Sequence, residues 1–189
     1  MPKMKGDVIL RDRLQFTLDT NGNLPVNYGR IDLSDYVNVV RDEGLHIKEI
    51  FYELRGGPVT NTCVFDPVIS QAGTSFAALQ VFATTTAYED ANDVGIGSPN
   101  VLNQLTMCTR RESSGGAGAL WECQEHFRGV PDFHPEGFTV ITDLLIGVAC
   151  DNMTTYSDAT VEIDVMIVAE PKKVTKDDLE KMLAQATDL

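Results

Sequence analysis

At 189 residues the chain fits one domain, since a single core keeps growing to about 250 residues before chains split, and its 43% hydrophobic content is ordinary for a globule. A formal net charge of -13 sets a repulsive field against polyphosphate, and the 15 Lys and Arg residues are not clustered, which excludes strong direct nucleic-acid binding. No apolar region follows Met1 and no apolar run is long enough to cross a membrane, so synthesis in the cytoplasm without a transmembrane segment is expected.

Alternation with period two, which puts every second side chain on one face of a strand, dominates the chain. Val8, Leu10, Leu14, Phe16 and Leu18 share one parity, with Asp12 interrupting them where a bend or bulge would sit, and Asn21-Gly22 then turns the chain. An extended stretch from Val26 to Leu33 leads to Ser34, whose side chain would open one helical turn through Val37. Leu45 and Ile47 are followed by Ile50, Tyr52 and Leu54 on the opposite parity, so a bulge near Lys48 is predicted to keep both sets facing the core.

After Gly56, Gly57 and Pro58 comes a short β-like run, Thr62 to Phe65, and a longer one from Phe76 to Thr86. The latter is apolar on both parities and predicts a strand covered on both faces. A polar loop, Glu89 to Asn100, precedes Val101, Leu105 and Met107, which alternate with polar neighbours. Beyond the glycines 115, 116 and 118, Ala119, Trp121, Cys123 and Phe127 take one parity against Glu122, Gln124, His126 and Arg128, the pattern of a half-buried strand.

Phe138, Val140, Leu144, Ile146, Val148 and Cys150 continue as one long apolar parity, with Gly147 marking an expected bulge. Val161, Ile163, Val165, Ile167 and Ala169 form the last inward series, while the other face changes from Glu162 and Asp164 to Met166 and Val168. After Pro171 the period becomes helical: Leu179, Met182, Leu183 and Ala186 make one stripe. Thr175 is placed as N-cap with Asp178 three residues on, and Val174 as a hydrophobic staple on Leu179. So short a helix must dock to persist, on its own domain over Met166 and Val168 or on a neighbouring copy.

These elements give an all-β fold, an antiparallel sandwich or jelly roll of about eight strands over residues 1–170, with a short C-terminal amphipathic helical tail over residues 171–189. Reactive groupings fail on spacing. Cys63, Cys108, Cys123 and Cys150 are scattered without a C-x-x-C pair, and are read as buried thiols. Cys123, His126 and His134 are the residue types zinc prefers, but the first two fall on opposite strand parities, and His46 sits on an expected outer face. Counted from Asp90, the acidic loop 89–95 has Val94 at the fifth and Val101 at the twelfth calcium-loop position, where ligands are needed. Neither a nucleophile elbow at Ser113 and Ser114 nor a phosphate loop at Gly95 and Gly97 is present, so no cofactor and no catalytic residue is expected. Aromatic rings for stacking sugars are few; Tyr28, Tyr36, Tyr88 and Tyr156 are the candidates for exposure.

The stretch GRIDLSDYVNVVRDEGLHIKEIFYELR, residues 29–55, together with EIDVMIVAEPKKVTKDDLEKML, residues 162–183, resembles segments of single-jelly-roll viral capsid proteins, most of all those of small environmental or archaeal viruses. The resemblance covers about a quarter of the chain and implies a subunit that self-assembles into an icosahedral shell, through sandwich walls and terminal segments. It implies location in the virion, synthesis in host cytoplasm, and copies of itself and other virion proteins as partners. The basic arm that many such proteins turn toward the genome is here short, with Lys3, Lys5, Arg11 and Arg13 interrupted by Asp7 and Asp12. Met166, Val168, Leu179, Met182, Leu183 and Ala186 are the expected subunit-interface residues. The alternative is a receptor- or glycan-binding sandwich module.

Overall fold

The computed structural model describes residues 6–56, 65, 76–95, 97–98, 100–112, 119–127 and 138–177, of which 111–112 and 119–127 are described by their backbone. The described residues form nine strands: β1 (Val8–Thr17), β2 (Leu24–Ile31), β3 (Glu43–Arg55), β4 (Phe76–Thr84), β5 (Val101–Glu112), β6 (Ala119–Phe127), β7 (Phe138–Val140), β8 (Leu144–Asp151) and β9 (Thr160–Lys173). They form two antiparallel sheets. Sheet A runs β1-β9-β3-β7 and sheet B runs β2-β8-β4-β5-β6. Strands β1, β2 and β3 and strands β7, β8 and β9 alternate between the sheets, which is the winding of a jelly roll, with β6 as an extra edge strand beyond β5.

The core lies between the sheets because the alternating apolar series point there. From sheet A come Leu45, Ile47, Ile50, Ile163 and Ile167, and from sheet B come Leu79, Val81, Leu105, Ile146 and Val148, all buried in one cluster. At β3 the register slips between Ile47 and Glu49, so the predicted bulge sits at Lys48 and turns Ile50 inward. Gly22, with φ +74°, closes the β1–β2 turn where a side chain would strike the Met153 backbone. Phe65, from the expected run at 62–65, stacks on buried Tyr156 at 5.2 Å between ring centroids; the rest of that run lies outside the described residues.

Several expectations are corrected. Asp12 makes no bulge: β1 pairs with β9 in unbroken register, and Asp12 stands exposed on the outer edge strand. Ser34 caps no helix, since its own N–H donates to the Asp32 carboxylate; the turn through Val37 forms without it, with the Tyr36 and Val37 N–H groups donating to the Leu33 carbonyl, and a 3-10 turn capped by Asn38 follows at Val39–Arg41. The long apolar parity from Phe138 to Cys150 is not one strand, since β7 belongs to sheet A and β8 to sheet B. Gly147 pairs with Phe82 without a slip, and its missing side chain makes room for the Phe82 ring. A slip between Ala83 and Thr84 instead bulges β5 at Leu102, sending Leu102 into the core and Val101 to the far side of sheet B. Strand β9 runs through Pro171 to Lys173, past Ala169, where β1 ends as its neighbour and a missing N–H is tolerated.

Candidate functional site

The outer face of sheet A carries the most unusual surface. Alternation puts Ile9, Arg11, Arg13 and Gln15 of β1, Glu162, Asp164, Met166 and Val168 of β9, and Phe51, Glu53 and Arg55 of β3 on this side. Half of it is polar and tightly paired. Arg13 and Arg55 both meet Asp164 and Glu162, and Gln15 donates to Glu162 at 2.6 Å. The Asp164 carboxyl is held below its ordinary value, first by the hydrogen bond from Arg13 and then by the Arg13 and Arg55 charges, with partial desolvation opposing them.

The other half carries an apolar band with charged neighbours, Glu49 lying opposite Val168 and Arg11 opposite Met166. Ile9 lies opposite Val168 and Phe51 opposite Met166; Ile9 is 55% and Phe51 38% exposed, and Met166 and Val168 are half-buried. This band places Met166 and Val168 as the alternation predicted and adds Ile9 and Phe51, whose outward parity was readable in the sequence but whose adjacency across strands was not. A shallow open cleft adjoins it, lined by Arg11, Arg13, Phe51, Glu53, Asp164 and Met166. Lys48, thrown outward by its bulge, pairs with Asp7 and with Glu170 at 3.1 Å and bounds the band on its other side. Leu179, Met182, Leu183 and Ala186 lie outside the described residues.

The opposite wall is closed by its own loop. Phe82, Val94 and Val101 are buried together outside sheet B, with Val26, Tyr28 and Tyr88 packed around them. The Tyr28 hydroxyl donates to the Tyr88 carbonyl at 3.0 Å and accepts from the Tyr88 N–H at 2.7 Å, latching the loop at Tyr88 over the sheet. Burial raises the Tyr28 hydroxyl above its usual pKa. Asp90 spends its carboxylate on the amide and side chain of Asn92, capping the turn Ala91–Asp93. The covered β4 is as expected, and part of its cover is the polar loop itself, through Val94.

Tyr156 is fully buried, and Tyr28, Tyr36 and Tyr88 are partly buried and packed against the two clusters, so these four rings make no exposed sugar platform. His46 is half-buried with Nδ1 3.3 Å from Thr139 Oγ1; the side chains of Cys123 and His126, and His134 entirely, lie outside the described residues. Cys150 is in the core, where burial pushes its thiol up to about 12. Among the described residues no group of three or more His, Cys, Asp or Glu side chains is arranged to hold a metal ion, and no helix is long and apolar enough to cross a membrane.

No family model and no curated protein matches the chain. Among solved structures it is similar to one described as "Crystal structure of decameric BFDV Capsid Protein", with a TM-score of 0.35 and 12% identity, over 89% of this chain and 100% of that one.

Proposed function

We propose that the protein is a structural subunit of a viral capsid, one that packs with copies of itself into a closed shell through the walls and terminal segments of its jelly roll. The observation that carries this reading is the apolar band of Ile9, Phe51, Met166 and Val168 on the outer wall of a chain that is otherwise strongly acidic. Contiguous exposed apolar surface on a soluble fold marks a contact surface. The jelly-roll order of the sheets and the resemblance of residues 29–55 and 162–183 to capsid segments supply the direction.

In this reading Met166 and Val168, with Leu179, Met182, Leu183 and Ala186 of the tail, belong to the wall from which subunits meet. The protein resides in the virion after synthesis in the host cytoplasm, and other virion proteins are further partners. With a net charge of -13 it leaves genome contact to another component. No catalytic role, metal or cofactor enters the proposal.

Negative-stain microscopy and sedimentation of the purified full chain test it. Closed particles of uniform diameter are the expected result. A species that stays at one chain at all concentrations and salt conditions tried, while binding a glycan or receptor saturably, would instead establish a binding module.

A further inference from the structure

Five large apolar side chains are exposed among the described residues: Ile9, Phe51, Val39, Val40 and Phe76. Ile9 and Phe51 belong to the band on sheet A. Val39 and Val40 stand elsewhere, on the short 3-10 turn that joins β2 to β3. Val40 is 94% exposed, so its side chain touches almost nothing of its own chain.

The turn that carries them is tightly fixed. Asn38 and Glu43 exchange backbone hydrogen bonds of 2.8 and 3.0 Å across its base, and Asn38 Oδ1 accepts from the Arg41 N–H at 3.2 Å. Asp42 takes the left-handed conformation, φ 55°, and its N–H closes on the Val39 carbonyl at 3.3 Å. That conformation is uncommon for a residue with a side chain. A turn so constrained, tipped by two β-branched side chains already stiff at χ1, gives up little freedom when it is buried.

We infer that Val39 and Val40 of one chain seat against Phe51 and Met166 of a second copy, so that copies join turn to wall. Within one chain the two sites cannot meet, because Phe51 lies about 26 Å along β3 from Glu43, at ~3.3 Å per strand residue, and the turn stands before the start of that strand. Charge agrees with the seating. Arg41, next to Val40, and Arg11 and Glu53, on the β1 and β3 sides of Met166, have no ion pair among the described residues. With Arg41 turned toward Glu53, Asp42 faces Arg11, and each charge gains an opposite partner at the rim of the apolar contact.

Turn and wall are different surfaces, so the contact is not self-complementary. Each copy that joins still offers a wall or a turn to the next, and repetition closes into a ring or shell when the rotation per step allows it. This rests on the reading that copies meet at the outer wall of sheet A, and names what the neighbour brings to it.

A photoreactive benzophenone side chain in place of Val40 tests the contact in the full-length protein, using an equal mixture of isotopically light and heavy chains. Links from position 40 to the segments holding Phe51 or Met166, with mixed-isotope pairs as frequent as same-isotope pairs, are expected. Absence of links to those segments, or links confined to chains of the same isotope, overturns the inference.

Phe51→Asp in the labelled chain should lower the yield about fivefold or more, whereas Phe76→Asp, exposed on sheet B, should leave it unchanged. Adding heavy Val40→Asp chains, whose wall is intact, to light labelled Phe51→Asp chains should restore the links, now between isotopes only. An undiminished yield in Phe51→Asp, or no restoration by Val40→Asp, also overturns it. Variants are scored when they keep the circular dichroism of the parent, and Met166→Asp replaces Phe51→Asp if that chain does not fold. Microscopy scores particles separately: links without closed particles sink the shell reading and leave this contact, and closed particles without links sink this contact alone.

Discussion

Phe82 and Gly147 lie directly opposite on β4 and β8, and the ring occupies the space a side chain at 147 would need. A Cβ there would fall 2.3 Å from the nearest ring atom, and Phe82 is fully buried, so it has nowhere to swing. Gly147→Ala is expected to destabilise the fold by about 1–3 kcal/mol, the usual cost of overpacking. Gly95→Ala, with nothing within 4 Å of the new methyl, serves as the control, and chemical denaturation of both variants measures the difference. This glycine was visible in the sequence, but its reason was not. A glycine inside a strand signals either a slipped register or a close approach, and only the cross-strand partner separates the two.

Two elements depend on polar ties that can be cut singly. The loop over sheet B is tied by the Tyr28 hydroxyl and by the Gln80 side chain, which donates to the Val94 carbonyl; Tyr28→Phe removes both hydrogen bonds to Tyr88 while keeping the ring edge-on to Phe82 at 5.9 Å. The expected cost is about 1–2 kcal/mol, with faster amide exchange at residues 88–94 while the exchange of β8 and β9 is unchanged.

On sheet A the paired half of the outer face should govern part of the acid response. Because the Asp164 carboxyl titrates below its ordinary value in the folded chain, its contribution is present above the unfolded carboxylate pKa of about 3.9 and is lost as pH falls through the folded value. Asp164→Asn should therefore lower stability at neutral pH by at most about 1 kcal/mol, given the exposure of its partners, and the gap to the parent should close as pH falls through the lowered folded-state value. Urea midpoints measured across that range check the sign.

The strands themselves were legible because period two is a local property. The bulge at Lys48 was legible too, since the apolar parity changes there and must be restored. The crossing between β7 and β8 was not. Phe138, Val140, Leu144 and Ile146 keep one parity whether the chain stays in a sheet or steps across the core at residues 141–143, because both sheets face the same interior. The outer band was half legible for the same reason: Met166 and Val168 stood out along β9, whereas Ile9 and Phe51 join them only through pairings across more than a hundred residues of chain.

At the scale of the whole molecule, β9 is the strand on which sheet A depends. It lies between β1 and β3, so without it those strands have no neighbour in common and β7 pairs only at Leu45–Ile47. A chain truncated before Thr160 is expected to show no cooperative thermal transition, although all of sheet B is encoded in it. Circular dichroism on heating measures this, and a sharp transition in the fragment would mean that sheet B folds alone.

The position of β9 also sets a timetable on the ribosome. Thr17 and its partner Thr160 are separated by 143 residues, a wait of about 7–30 s at ordinary synthesis rates. For most of that interval β1 and β3 are translated but lack the strand that joins them, and chains growing side by side on one message would offer each other the same unpaired edges. Late completion of sheet A thus makes the growing chain prone to pairing with its neighbours until Lys173 has been added.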